Sequence, residues 1–470
     1  MTSGGKPGAP AGTPKVLAPE DGTLGGEELH FRRLPGGLEA WVWRRRGLQN
    51  RHAVFATRFG AMDARFETEG ETHEVPDGTA HFLEHMAFDT GEGNALNLFS
   101  RLGIRVNAFT SHAATAYFFS GTDNFWPALR ELTRLVVTSH LTPKGVEKER
   151  RVIAQEVRMY EDSPESKVAE NLLRALYVEH PVRRNIGGTV ESVMGIAPET
   201  LLRCHRTFYH PSNLVFVAAG DLDPERVFAA LATTLEELGT PGPGPTPASA
   251  APAAPAAPVF RRIFPNEPLL PGQPEVSVTR PVQRPSFLVG FKDPRPIPEP
   301  PAPPSAPPSA PPSLALLRRE IALNLLVDIV FGSTSPLYND LYRDGLIDES
   351  FSARYVSDLT FGYAVAGGAT RDAAQAAARL LEGISGWRPK GIAEPDLQRK
   401  RRKALGHFVG LADSLEGMAT LFLTCRLKGI DLRSYPDILG AITLDEVNQA
   451  FAELFVPERA SVSIIKPGPA

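Results

Sequence analysis

Within the segment GTAHFLEHMAF stand His81, Glu84 and His85. On a helix, positions four apart fall one turn apart on the same face, so His81 and His85 would offer two imidazoles to one small cation. Glu84 falls on the adjoining edge of that face. From there it reaches a water beside the cation without displacing either ring. Two protein donors are too few, because a hydrolytic zinc site takes three and keeps one position for water. A third ligand is expected from a second helix, and LTPKGVEKERRVIAQEVRMYED supplies candidates. Thr142 before Pro143 is a helix start with proline in the first turn, and Val146, Ile153 and Val157 then form an apolar stripe. Glu149 and Glu156 lie two turns apart on one face, ~10 Å along the axis. Only one of them can bind the ion, which leaves the other to orient a ligand. Such a donor set with Glu84 beside it points to metal-assisted hydrolysis. Glu84 would take a proton from water and pass it to a leaving amine, so that a peptide bond breaks without a covalent enzyme intermediate. Zinc is the expected ion, although similar nitrogen and oxygen sites accept other divalent metals.

The elements that must position these residues come as a repeat. Proline and alanine dominate Thr240 to Pro258, TPGPGPTPASAAPAAPAAP, which reads as a linker between two halves of similar length. Each half begins with strand-like runs, LEAWVW and HAVFATRF in the first, EVSVT and SFLVGF in the second. Each ends with an amphipathic helix, a proline and a strand: Pro198 to Tyr209 before Pro211 and LVFVAAGD, then Thr443 to Phe455 before Pro457 and SVSII. The expected fold is therefore α+β, with two homologous α/β-sandwich domains. The expected layout is a flexible tail over residues 1–26, a first domain over 27–239, the linker over 240–258 and a second domain over 259–470. A Pro-rich surface insertion at about 294–313 interrupts the second domain.

Composition narrows the class. The chain has 470 residues, 42% of them hydrophobic and 22% charged, and a net charge of -4, as in ordinary globular proteins. That charge gives no reason to expect nucleic acid or an anionic membrane as partner. Cys204 and Cys425 are the only cysteines, which excludes a disulfide framework and a thiolate zinc site. No signal-peptide core and no run of membrane-spanning length stands out, so a cytoplasmic location is expected.

HFLEHMAF and EKERRVIAQEVRMYED together resemble the pitrilysin/insulinase family of zinc metallopeptidases, in its branch like the mitochondrial processing peptidase. H-x-x-E-H is the inverzincin motif. VNAFTSHAATAYFF and FYHPSNLVFVAAGD extend the resemblance over nearly the whole chain from about residue 27. Taken alone, Glu149 and Glu156 would read as a solvated helix face. The resemblance instead implies that Glu156 is the zinc ligand and Glu149 its support. It also tilts the stretch from Asn107 to Phe118 from a plain core strand to a substrate-binding edge, with Asn107, Ala108, Phe109 and Thr110 as candidate contacts. An extended peptide would pair there with the backbone. The family fold implies that this chain is half of a four-domain clamshell, and hence that a partner chain exists.

One departure bears on that partner. Active relatives carry an arginine and, seven residues on, a tyrosine opposite the zinc. Here Tyr342 stands where the arginine would be, with Arg343 adjacent, and Arg354 and Tyr355 are out of register. The second half has no H-x-x-E-H, and its matching helix reads IALNLLVDIVF. A heterodimer is expected, in which a homologous chain supplies arginine and tyrosine; a homodimer is the other arrangement. The resemblance thus implies a zinc endopeptidase acting on peptides or small unfolded proteins. The alternatives are a structural or processing subunit with little activity of its own, and a metal-binding regulator. Among other residues, His112 reads as a surface histidine. His180, His205 and His210 read as structural, and the basic run Arg399 to Lys403 as a solvated helix face.

Overall fold

The first half is built from β1 (Gly22–Leu24), β2 (Glu27–Arg33), β3 (Glu39–Arg44), β4 (Arg51–Thr57), β5 (Arg65–Thr68), β6 (Glu71–Glu74), β7 (Arg105–Thr110), β8 (Thr115–Gly121) and β9 (Leu214–Gly220). The second half adds β10 (Phe260–Arg262), β11 (Glu275–Arg280), β12 (Ser286–Lys292), β13 (Ser352–Ser357), β14 (Gly362–Ala369) and β15 (Ala460–Pro467). The computed structural model describes residues 20–91, 93–239, 258–294, 312–387 and 390–469. Most of the expected tail, linker and Pro-rich insertion lies outside the described residues.

Seven strands form one sheet in the order β1-β2-β3-β9-β4-β8-β7, and five form another in the order β11-β15-β12-β14-β13. The two share one topology. In the first half β3 runs parallel to β9, which is antiparallel to β4, and β4, β8 and β7 follow antiparallel. In the second, β11 runs parallel to β15, and β12, β14 and β13 follow in the same way. This is the expected duplicated α/β sandwich. β9 is buried along its whole length, as befits a central strand covered on both faces. β7 alternates between exposed and half-buried residues and ends its sheet, as an edge strand does.

Two details differ from the expected layout. Gly22–Leu24, within the segment read as a tail, pairs with Glu27–Leu29. Phe260–Arg262, at the start of the segment assigned to the second half, pairs with Thr68–Phe66 of the first.

Five helices of the first half matter here: α1 (Thr79–Ala87), α2 (Ala95–Arg101), α3 (Phe125–Val137), α4 (Pro143–Asp162) and α5 (Pro164–Leu176). α5 does not cover its own sheet. It packs on β12 and β15 of the second half, while the second half's helix Leu415–Leu427 packs on β4 and β9 of the first. Leu172 and Leu176 of α5 are buried close against Gly290 of β12. In the reverse direction Phe422 meets Trp41 edge-on at 5.1 Å. Arg426 Nε donates to the buried Glu39 at 2.8 Å, and Trp41 Nε1 donates to the same oxygen. Among the described residues, no single helix is long and apolar enough to cross a membrane.

Candidate metal centre

α1 and α4 carry the candidate residues. Gly78 precedes α1 with φ of 89°. A side chain there would be strained in this left-handed conformation, and a Cβ would meet the Gly187 carbonyl oxygen at 2.5 Å. Ala80, Phe82, Leu83 and Met86 turn into the core, so His81, Glu84 and His85 remain on the half-buried face. α4 starts where the sequence indicated. Thr142 accepts from the Gly145 amide at 3.0 Å, and Pro143 opens the first turn. Val146, Ile153 and Val157 are buried, which turns Glu149 and Glu156 towards α1.

The rings of His81 and His85 lie 4.7 Å apart. Glu156 approaches both, with Oε2 3.2 Å from His85 Nε2 and Oε1 3.9 Å from His81 Nε2. One donor atom from each of His81, His85 and Glu156 falls within 4.8 Å of the other two, the one such cluster found among the described residues. Tetrahedral zinc with bonds of about 2.0–2.1 Å sets its donors ~3.3 Å apart, so this donor set fits such an ion. Glu149 stands behind: its Oε1 lies 2.9 Å from His85 Nδ1. That bond places the proton on Nδ1 and aims the Nε2 lone pair at the cluster. Glu84 accepts from Thr110 Oγ1 at 2.5 Å.

The charges divide in the same way. Burial, with His85 nearby, pushes His81 down to about 4 and keeps that ring neutral. Burial also opposes charge on His85, but the bond to Glu149 and the nearby Glu156 outweigh it and raise its pKa. Burial raises Glu84 above the usual carboxylate range, and the Thr110 bond offsets part of this.

The candidate strand residues border different cavities. Asn107 and Ala108 line a cavity of about 450 Å³ beside Glu84, His85 and Glu149, with Phe88, Leu96 and Lys148. The Thr110 side chain reaches Glu84 itself. Phe109 points away, lining a second cavity with Leu423 and Thr424 of the other half. The sequence reading missed Lys148 and Phe88, although one adjoins Glu149 and the other lies three residues beyond His85.

In the second half, the helix Pro312–Phe331 carries Asn324 and Asp328 one turn apart, as α1 carries its histidines. Asp328 binds Lys400 at 3.0 Å. Lys400 is 3% exposed, which corrects the reading of its basic run as a solvated face: Asp328 satisfies the charge inside. Tyr342 stacks on Tyr338, and Tyr355 donates to Asp293 from a buried position. His112 is not a surface residue. It is half-buried near Phe361 of the other half, and burial lowers its pKa to about 4. His180 stacks on Phe264, the half-buried His205 stacks on Tyr209, and His210 caps Pro211–Asn213.

This duplicated sandwich, with two imidazoles and a glutamate converging above an edge strand, has the architecture of a metallopeptidase half-clamshell. Family models match residues 68–190 as Insulinase (Peptidase family M16) and residues 195–403 as Peptidase M16 inactive domain. The zinc protease YmfH of Bacillus subtilis, described as uncharacterized, is 33% identical over 94% of this chain and 97% of its own. The crystal structure of an M16-like peptidase from Alicyclobacillus acidocaldarius superposes with a TM-score of 0.84 at 35% identity, covering 94% of this chain and 99% of that one. The periplasmic protease PqqL of Escherichia coli shares the fold at 16% identity and a TM-score of 0.66; the match covers 93% of this chain and 47% of that chain. The chain therefore belongs to the insulinase/pitrilysin family, peptidase family M16.

Proposed function

We propose that this chain is a zinc-dependent endopeptidase that cleaves peptides or small unfolded proteins. The observation that carries the reading is the convergence of His81, His85 and Glu156 within 4.8 Å, with Glu84 on the same helix. In this reading His81, His85 and Glu156 hold the metal, and Glu149 orients His85. A divalent ion such as zinc, bound there, makes water more acidic and polarises a carbonyl. Glu84 accepts the water's proton and returns it to the leaving amine. The substrate lies extended along β7, pairing with backbone from Asn107 to Thr110, which makes cleavage broad in sequence.

A partner completes the chamber. This chain spans one half of the longer PqqL fold, and within it Tyr342, Arg343, Arg354 and Tyr355 sit in the half without the metal cluster. A homologous chain supplying arginine and tyrosine is the arrangement we favour, with a homodimer as the other. The half-length match also supports the second reading, a processing subunit with little activity on its own.

The test is metal analysis and cleavage of a quenched fluorescent peptide, with the chain alone and with whatever co-purifies from its source. Glu84→Gln should keep zinc and lose cleavage by about 10²–10⁴-fold. Loss of metal together with activity would make Glu84 a ligand and overturn the assignment. Full activity of the isolated monomer would remove the need for a partner.

A further inference from the structure

We propose that Thr110 is a positioning residue for Glu84, so that the strand offered to the substrate also aims the proton acceptor. The inference rests on the role of Glu84 given above. Thr110 ends β7, on the face where Val106 and Ala108 pack against the first-half core. Its hydroxyl donates to Glu84 Oε2 at 2.5 Å, within the short range of hydroxyl-to-carboxylate bonds.

A threonine hydroxyl has one proton to give, and its neighbours determine where this one goes. Thr115, directly across the hairpin, holds its own hydroxyl 3.4 Å from that of Thr110. Thr115 has already committed its proton to the Phe59 carbonyl at 2.9 Å. Thr115 therefore donates nothing to Thr110, and the charged carboxylate is the nearer and stronger acceptor. Among the described residues, Thr110 is the one hydrogen-bond partner of Glu84. One carboxylate oxygen is thereby pinned, and the other is left for water.

A hydroxyl–carboxylate pair in the second half, at a helix position not equivalent to that of Glu84, provides a contrast. The equivalent edge strand, β13, ends in Ser357, whose hydroxyl donates to Glu320 at 2.6 Å. There Lys428 also binds the same carboxylate, at 2.7 Å. A carboxylate clamped by a cation is a poor proton acceptor. Among the described residues Glu84 has the hydroxyl with no lysine or arginine bonded to it, so Thr110 alone fixes its direction.

Thr110→Val removes the hydroxyl at nearly constant shape, and Thr110→Ser keeps it. The Val variant should lose roughly 10- to 100-fold in kcat, the effect of one hydrogen bond to a charged group, with KM and zinc content unchanged. The Ser variant should recover most of the rate. Crystal structures of the zinc-free proteins give a readout independent of turnover. Glu84 should occupy a single rotamer on Thr110 in the wild type and leave that position in the Val variant. A Val variant with wild-type kcat, a raised KM alone, lost zinc, or Glu84 in an unchanged single rotamer would each overturn the proposal. Glu84→Gln is measured alongside. If it stays active, the reading of Glu84 fails; if it is inactive while Thr110→Val is not, only the present inference fails.

Discussion

Replacing Glu149 and Glu156 separately by glutamine separates their roles. His85 is held from both sides, by Glu149 at Nδ1 and by Glu156 at Nε2. Glu149→Gln leaves every metal donor in place but takes the negative charge from behind the ring, so His85 becomes less basic at Nε2 and freer to turn. Losing such an outer partner weakens metal affinity by ~10–100-fold, or ~1.4–2.7 kcal/mol. Glu156→Gln removes an anionic donor that faces both imidazoles, and its loss should exceed that range. The assay is a zinc titration of the metal-free protein at pH 7.5 in a chelator-buffered series, reading Kd for wild type and both variants. If Glu149→Gln weakens zinc more than Glu156→Gln does, the two roles are exchanged. If Glu156→Gln binds like wild type, the proposed site is wrong.

Two further outcomes concern stability. Burial holds His52, 1% exposed, down at about 4, against ~6.5 in the unfolded chain. The unfolded state therefore binds the extra proton first, and the stability from this group is complete above ~6.5 and falls as pH drops towards 4. At pH 5 the loss is about 2 kcal/mol, so urea midpoints at pH 7.5 and 5.0 should differ less in His52→Gln than in wild type; an identical pH dependence would refute this. Leu176→Ala opens a cavity between α5 and the second sheet and should cost ~2–5 kcal/mol, measured by denaturant unfolding; a loss below ~1 kcal/mol would mean that the contact with Gly290 is not tightly packed.

The convergence of His81, His85 and Glu156 was legible because its information is local. Histidines four apart need only a helix, and the Thr142–Pro143 start with its apolar stripe fixes which face of α4 carries Glu149 and Glu156. The duplication was legible for the same reason, since each half repeats helix, proline and strand. What escaped depends on contacts distant in sequence. Nothing in TSHAAT reveals that His112 is covered by Phe361, more than two hundred positions away. Nothing in RKRRK reveals that one lysine turns inward to meet Asp328. Phe109 and Thr110 are neighbours in one motif, yet the pleat sends their side chains to opposite faces, which only the sheet's position among the helices decides.

The traded helices make each half a lid for the other. A protease nick between residues 239 and 258 would sever the backbone and leave Trp41 under Phe422 and Gly290 under Leu176. The fragments should therefore migrate together until denatured. Expressed alone, either fragment would present a bare oily sheet to water and should aggregate. Because each lobe's sheet is covered by a helix of the other, the two lobes are expected to fold as one unit rather than separately.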